Sequence, residues 1–205
     1  MNGRRKLLAR KSGRLIAIEG IDQAGKRTQA RLLAGKIRNM GMPVFVYSFP
    51  DYTTPLGREL NSYLSGSIRL DLHSVHLLYA ANRWEVARAL DDRIGRGLVV
   101  IVNRYSPSNL AYGVAHGLPL VWLNSLEEGL PKPNVVVVLD LSPLTSFKRK
   151  IRERDLHEGD LGYLRRVRRA YLRLAKKYGW KVVDGQHDAA TLRRLVWSQV
   201  YRFLP

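Results

Sequence analysis

A glycine-rich segment near the start of the chain has the residue types that bind phosphate. It reads Gly20-Ile21-Asp22-Gln23-Ala24-Gly25-Lys26-Arg27-Thr28 and matches the pattern G-x-x-x-x-G-K. In such a loop, backbone N–H groups and a helix N-terminus surround the phosphate, and the lysine ammonium neutralises charge. The residues expected to hold a phosphate donor are Gly20, Gln23, Ala24, Gly25, Lys26, Arg27 and Thr28. The alternative interpretation is a strand-to-helix turn that binds no ligand.

One position departs from this pattern. The Ser or Thr that usually follows the lysine, and whose hydroxyl ligates Mg²⁺, is replaced by Arg27, with Thr28 directly after it. Two interpretations of Arg27 remain open. Its guanidinium could take over part of the charge neutralisation at the phosphates, or it could point to solvent from the first helical turn.

The loop lies in an alternation of short apolar runs and longer segments of helical period. The predicted strands are 15–18, 44–47, 98–102, 135–139 and 181–183, and the predicted helices are 26–40, 72–94, 120–128, 145–152, 161–178 and 189–203. Strands alternating with helices indicate βαβ units and a parallel sheet covered on both faces. We therefore predict a doubly wound, three-layer α/β/α sheet of about five strands, of the P-loop NTPase type. Ligands bind such sheets beyond the carboxyl ends of the strands.

Composition is that of one globular domain spanning residues 1–205. Hydrophobic residues make up 45% and charged residues 25% of the chain, and there is no cysteine, which excludes disulfides and thiol nucleophiles. No apolar run approaches the roughly 18 residues that a membrane span needs. The basic start is followed by too short an apolar stretch for a secretory signal. We expect a cytoplasmic protein without a membrane partner.

The formal net charge of +18 is concentrated in two places. The first is the basic N-terminus, residues 1–13, which we expect to be flexible, and the second is the arginine-rich window 148–177. Within that window, five arginines alternate with apolar residues at helical spacing, which is typical of a solvated helix face. They are Arg165, Arg166, Arg168, Arg169 and Arg173. A nucleic-acid-binding surface is the alternative, although the sequence contains no nucleic-acid-binding motif.

Further motifs follow the predicted strands. They are Phe49-Pro50-Asp51-Tyr52, the helical segment Val75-His76-Leu77-Leu78-Tyr79-Ala80-Ala81-Asn82-Arg83-Trp84-Glu85, then Asn103-Arg104-Tyr105 with Ser108 and Tyr112, and lastly Arg152-Glu153-Arg154. With the phosphate loop, these segments resemble the thymidylate kinases, most closely the archaeal type, from about Leu15 to Phe203. The resemblance implies ATP as phosphoryl donor, dTMP as acceptor, dTDP and ADP as products, a homodimer, and a mobile lid at about 149–160.

The resemblance also implies which residues bind dTMP: Asp22, Phe49, Tyr52, Tyr79, Arg83, Arg104, Ser108 and Tyr112. Tyr79 can stack on the base, and Arg83, four residues on, lies on the same helix face and can reach a carbonyl edge. In the family, the carboxylate at Asp22 contacts the sugar 3′-hydroxyl and the aromatic at Tyr112 lies near the 2′ edge. Arg104 is expected to bind the acceptor phosphate, although it could instead pair with a nearby carboxylate.

No general base is required, because the second pKa of a phosphate monoester is about 6 and the attacking oxygen is already ionised. Catalysis then needs alignment and cations. Relatives supply the transition-state cation either from the phosphate loop or from the lid. The loop position is Gln23 here, so Arg152 and Arg154 of the lid are predicted to act with Lys26, Arg104 and Asp22. Arg149 is assigned to ATP binding and is the third candidate for the transition-state cation.

Two further departures concern metal and acceptor. Asn103 replaces the Asp that helps to hold Mg²⁺, so the metal ligands are unknown and we expect Mg²⁺ to be held mainly by ATP and water. Tyr52 replaces an Arg that contacts the acceptor phosphate in many relatives, and Arg58 or Arg104 could compensate. A kinase of dUMP or another monophosphate therefore stays open, as does a catalytically weakened P-loop protein that binds nucleic acid.

Overall fold

One sheet of five parallel strands organises the computed structural model, which describes residues 13–149 and 160–205. The strands are β1 (Arg14–Glu19), β2 (Val44–Ser48), β3 (Val99–Asn103), β4 (Val135–Asp140) and β5 (Lys181–Asp184). Their order is β2-β3-β1-β4-β5. The central strands are continuous apolar runs because both of their faces are buried. The predicted doubly wound sheet is confirmed.

Nine helices and a short 3₁₀ turn connect and cover these strands within the described ranges. They are α1 (Lys26–Asn39), α2 (Pro55–Leu64), α3 (Leu72–Trp84), α4 (Ala87–Gly95), α5 (Ser106–Ala115), α6 (Leu120–Leu126), α7 (Pro143–Arg149), α8 (Leu161–Tyr178) and α9 (Ala189–Val200), followed by the turn Tyr201–Phe203. In α8 the apolar side chains of Tyr163, Val167, Tyr171 and Leu174 are buried. Among the arginines, Arg165 and Arg169 are exposed, as a solvated face requires. Arg168 is half-buried instead, and its Nε donates to Asp140 Oδ1 at 2.6 Å.

The helix predicted at 72–94 is wrong in one respect, because the chain forms two helices there. Val86, with φ −118° and ψ 3°, interrupts the helical backbone between α3 and α4. Helices α2 and α5 were not predicted. Each has a proline in its first turn, where the missing N–H costs nothing. A proline beside Ser and Thr is equally typical of a loop, so the local sequence did not separate the two.

Two segments carrying predictions lie outside the described residues. The basic N-terminus falls there apart from its last residue, residue 13, and so does most of the predicted lid, including Arg152 and Arg154. Among the helices of the described part of the chain, none is long and apolar enough to cross a membrane.

Gly20 joins β1 to the phosphate loop where the backbone passes close to β4. Its φ is +134°, and a Cβ at this position would lie 2.5 Å from the Leu139 carbonyl oxygen. A side chain here would be strained and would also push the loop away from the sheet. Glycine is therefore required by geometry at the first position of the motif.

We expect Gly20→Ala to lower the free energy of unfolding by about 1–3 kcal/mol, because both the backbone and Leu139 must shift. The matched control is Gly35→Ala in α1, where the added Cβ meets nothing within 4 Å. That substitution should raise stability by up to about 1 kcal/mol. Urea unfolding followed by circular dichroism measures both. Equal stability of Gly20→Ala and the original chain would contradict the expectation.

Candidate active site

A pocket opens at the carboxyl edge of the sheet, beside the phosphate loop. Its lining residues are Asp22, Phe49, Pro50, Tyr52, Leu64, Tyr79, Arg83, Arg104, Tyr105, Ser108, Asn109 and Tyr112. All eight residues predicted to bind the acceptor are among them. They come from the segments after β1, β2 and β3 and from the helices α3 and α5, which the parallel sheet brings together at one edge.

The phosphate loop curls tightly between β1 and α1. Gln23 and Gly25 have positive φ of 59° and 87°, and α1 begins directly at Lys26. The Lys26 ammonium is buried, donates to the Ile21 carbonyl oxygen at 2.7 Å and lies 4.0 Å from the Asp22 carboxylate. The lysine is thus held inside the loop, next to the helix N-terminus.

Arg27 and Thr28 are exposed on the first turn of α1. Both line a shallow groove between α1 and the edge strand β2, together with Arg31, Arg38 and Ser48. The Arg27 side chain is therefore exposed to solvent at this groove. This position favours the second of the two interpretations above, in which Arg27 points to solvent.

Arg104 follows β3 with a positive φ of 62° and binds four groups. Its Nη2 donates to the Asp22 carboxylate and, at 3.1 Å, to the Tyr112 hydroxyl, while Nη1 donates at 3.3 Å to Gly20 O and to Ser108 Oγ. Tyr112 in turn donates to Asp22 Oδ2 at 2.9 Å. The pairing of Arg104 with a carboxylate, weighed above as an alternative, is present.

The charges in this cluster set the ionisation of Asp22. Burial raises the pKa of the Asp22 carboxyl, but the positive charges of Arg104 and Lys26 outweigh burial and hold that pKa well below its usual range. Asp22 is therefore an anion at neutral pH. It can accept a hydrogen bond from a ligand hydroxyl and fixes the guanidinium of Arg104 at the pocket wall.

Glu19 lies beneath this cluster and was not predicted as a site residue. It is fully buried at the end of β1 and accepts hydrogen bonds from the Tyr105 N–H at 2.7 Å, Ser108 Oγ at 2.6 Å and the Tyr171 hydroxyl at 3.0 Å. Burial raises the pKa of Glu19, and these donors together with the Arg104 charge only partly offset that effect. The sequence contains one indication of this role, because Glu19 is a single carboxylate at the end of an apolar strand.

Glu127 and Asn109 were also missed. The buried Arg83 donates from Nε to Glu127 Oε2 at 2.9 Å and from Nη2 to Glu127 Oε1. Asn109 Nδ2 donates to Glu127 Oε1 at 2.7 Å. The predicted base-contacting arginine is thus already held by a carboxylate far along the sequence, for which no local pattern gives a signal.

Helix α7 contacts the phosphate loop through two side chains. Arg149 Nη1 donates to the Gln23 carbonyl oxygen at 3.0 Å, and Ser146 Oγ donates to the Asp22 carbonyl oxygen at 2.8 Å. These two contacts join α7 to the phosphate loop. Arg58 is exposed, donates to Thr53 O and does not line the pocket.

Comparison with known proteins identifies the family. A family model for thymidylate kinase matches residues 18–196. The chain belongs to the thymidylate kinase family. It is 40% identical to the thymidylate kinase of Schizosaccharomyces pombe over 131 residues, covering 64% of this chain and 62% of that protein. It is 39% identical to the one of Arabidopsis thaliana over 137 residues, covering 67% and 52%. The chain thus spans less than two thirds of these two relatives.

A solved thymidylate kinase structure agrees with the architecture. The enzyme of Candida albicans superimposes with a TM-score of 0.84 at 30% identity, covering 94% of this chain and 92% of that one. The five-stranded sheet and its flanking helices are therefore those of the thymidylate kinase family.

The metal ligands usual in phosphoryl transfer are sparse in this family member. No group of three or more Asp, Glu or His side chains suited to a metal lies within residues 13–149 and 160–205. Asp22 and Glu19 are bound by the donors named above. The Thr28 hydroxyl and the Asn103 amide oxygen, at the two positions considered for the metal, are neutral. That amide oxygen is buried, and no described residue bonds to it.

The raised pKa of Glu19 predicts a pH-dependent effect of Glu19→Gln. Between its ordinary value of 4.5 and the raised native value, the folded chain binds more protons than the unfolded chain, so wild-type stability falls as pH rises. Glu19→Gln removes this loss, and its stability relative to wild type should increase from pH 4.5 upward and then level off. Urea unfolding at a series of pH values measures the difference. A difference independent of pH would refute this account of Glu19.

Proposed function

We propose that this chain is a thymidylate kinase that transfers the γ-phosphoryl group of ATP to dTMP, giving dTDP and ADP. The observation that carries the proposal is the pocket itself. It places an aromatic ring, two arginines, an ionised aspartate and a tyrosine hydroxyl next to a phosphate loop, at the edge of the sheet where ligands bind. Membership of the thymidylate kinase family supports the same activity.

The base end of dTMP would lie between Tyr79 and Arg83. The Tyr79 ring packs on the small cluster of Tyr63, Leu64 and Val75, so its position is fixed before a base stacks on it. Arg83 uses Nε and Nη2 for Glu127, which leaves Nη1 to donate to a carbonyl on the base edge. Phe49, whose ring lies 5.9 Å from that of Tyr105, forms part of the apolar wall.

The sugar would lie against Asp22 and Tyr112. The Asp22 carboxylate can accept from a 3′-hydroxyl, and the buried Tyr112 side chain occupies the space that a 2′-hydroxyl would need, which favours deoxyribose. Arg104 and Ser108, bonded to each other and facing the same pocket, would bind the acceptor phosphate. Tyr52 is half-exposed at the pocket. It stands where many relatives have an arginine, and unlike that arginine it adds no positive charge for the acceptor phosphate.

The reaction forms a bond from an acceptor phosphate oxygen to the γ-phosphorus of ATP. The bond from that phosphorus to the β–γ bridging oxygen breaks, and ADP leaves with the electron pair. Lys26 and the loop N–H groups would hold the donor phosphates, with Arg149 at the adenosine side. Arg152 and Arg154 are proposed from the sequence as the lid cations, and they lie outside the described residues.

The donor would enter with Mg²⁺ bound mainly to ATP and water. Near the loop, the neutral oxygens of Thr28 and Asn103 fit a water-bridged metal better than direct binding by the protein, because neither supplies a charge. When bound, the ion supplies charge neutralisation between the β- and γ-phosphates. The protein would supply the rest of that charge through Lys26 and the arginines.

We also propose that the chain forms a homodimer and acts in the cytoplasm. The outer face of α3 exposes Leu77 and Trp84, at 49% and 45% of their accessible surface. Large apolar side chains grouped on one helix face are suited to contact with a second copy of the chain.

An ADP-release assay with dTMP, dUMP, dCMP, dGMP and UMP offered separately tests the proposed activity. We expect turnover to be highest with dTMP and to fall at least about 100-fold in Lys26→Ala and in Arg104→Ala, since each removes a cation from a charged transition state. The Candida albicans relative has broad substrate specificity, so secondary acceptors are included. If ATP binds but no monophosphate is phosphorylated, the proposal fails and nucleic-acid binding by the basic surface becomes the next hypothesis.

The metal arrangement is tested by Mg²⁺ titration of the double variant Arg27→Ser/Asn103→Asp. Restoring a hydroxyl and a carboxylate should lower the Mg²⁺ concentration for half-maximal activity by about tenfold. Arg31→Ser, one helical turn further along the same groove, removes a similar charge and should leave that concentration unchanged. If the Mg²⁺ concentration for half-maximal activity is the same in the double variant and in wild type, the proposed metal arrangement is refuted.

A further inference from the structure

A chain of buried polar side chains lies behind the base end of the pocket. It runs from Arg83 through Glu127, Asn109 and His76 to His116, and it joins α3, the end of α6, and α5. Four of its members are almost fully buried: Arg83 at 3%, Asn109 at 2% and His76 at 0% exposure, and the Glu127 side chain at 8%. Burying this many polar groups is costly unless every bond is made, so the geometry of the chain is strongly constrained.

The first link fixes the plane of the Arg83 guanidinium. Nε and Nη2 both donate to the two oxygens of Glu127, which is the side-on, two-point arrangement of a strong arginine–carboxylate pair. Rotation of the guanidinium would break both bonds at once. The Nη1 edge is left for the pocket that Arg83 lines, and no residue in the described ranges accepts from it.

The second link fixes Glu127. Its Oε1 also accepts from Asn109 Nδ2, and the same Nδ2 donates to the His76 carbonyl oxygen at 3.2 Å. Because both acceptors are oxygens, the amide nitrogen of Asn109 must face them. The amide oxygen of Asn109 then lies 2.6 Å from His76 Nδ1, which must carry a proton.

The third link sets the histidine tautomer. With its proton on Nδ1, a neutral His76 ring can accept at Nε2, which lies 3.1 Å from His116 Nδ1. The ring of His116 stacks on Tyr163, with centroids 4.4 Å apart. The bonds therefore orient Asn109 and place the His76 proton on Nδ1, and the His116 ring is held against Tyr163 of α8.

We infer that Glu127, held by Asn109 and His76, is a positioning residue that fixes Arg83 as a hydrogen-bond donor and so selects a pyrimidine whose edge carries a carbonyl. The inference rests on the proposed dTMP kinase activity. Thymine and uracil present a carbonyl oxygen at C4, which accepts from Arg83. Cytosine presents an amino group there, so two donors would face each other and the buried arginine would lose its partner.

The test compares dTMP with dCMP in wild type and in Glu127→Gln, which keeps the shape of the side chain and removes its charge. We expect the ratio of kcat/KM for dTMP to that for dCMP to fall about tenfold or more, since a mobile Arg83 no longer discriminates at C4. The KM for dTMP should rise by a similar factor, and the KM for ATP should not change. Because a ratio does not depend on the fraction of folded enzyme, partial loss of folding leaves the test valid.

Three further variants separate positioning from a general structural effect. Glu128→Gln makes the same chemical change at the neighbouring exposed position and should leave the ratio unchanged. Glu127→Asp keeps a carboxylate on a shorter side chain and should restore part of the selectivity. In an Arg83→Met background, Glu127→Gln should change the ratio no further, because its effect acts through Arg83.

The outcomes for the two proposals differ. Absence of dTMP turnover in wild type would refute the proposed function. Normal wild-type turnover with an unchanged dTMP to dCMP ratio in Glu127→Gln would overturn the inference alone, as would an equal effect of Glu127→Gln in the Arg83→Met background.

Discussion

The ion pair between Arg104 and Asp22 joins the two loops on which the pocket depends. One loop follows β1 and the other follows β3, and the strands that carry them are hydrogen-bonded neighbours in the sheet. Burying most of a carboxylate and a guanidinium is unfavourable unless the two groups pair with good geometry and form further hydrogen bonds. Gly20, Ser108 and Tyr112 supply those bonds. The same set of contacts therefore neutralises the charges of Asp22 and Arg104 and holds the two loops in the positions that shape the pocket.

The pocket and the surface differ in their charge balance. Beneath the pocket, Asp22 is paired with Arg104, and Glu127 is paired with Arg83. Glu19 is held by the neutral donors of Tyr105, Ser108 and Tyr171. The excess positive charge of the chain lies elsewhere, including the exposed arginines of α8, a helix without a single acidic residue. The net charge of +18 therefore says little about the ionisation of the site.

The strands, the phosphate loop and the eight residues that line the pocket together could be predicted because each is encoded locally. Apolar runs identify β1 to β5, and the segments after them contain motifs read within about ten residues. Glu127 and Arg83 are 44 positions apart, and Glu19 and Tyr171 are 152 apart, so only the folded chain shows that they meet. The helices α2 and α5 were not predicted, because the sequence around a proline in the first turn of a helix resembles the sequence around a proline in a turn. The pairing of Arg104 could be named from sequence only as one of two alternatives.

The pairing of Arg83 with Glu127 also limits how this site can evolve. Replacing either partner alone leaves the other charge buried without a counterpart, at a cost of about 3–5 kcal/mol, which is a large part of the stability of a typical domain. A single substitution of Arg83 or of Glu127 therefore lowers stability together with any change that it makes to the pocket. Paired replacements at 83 and 127 avoid this cost, so we expect the two positions to covary.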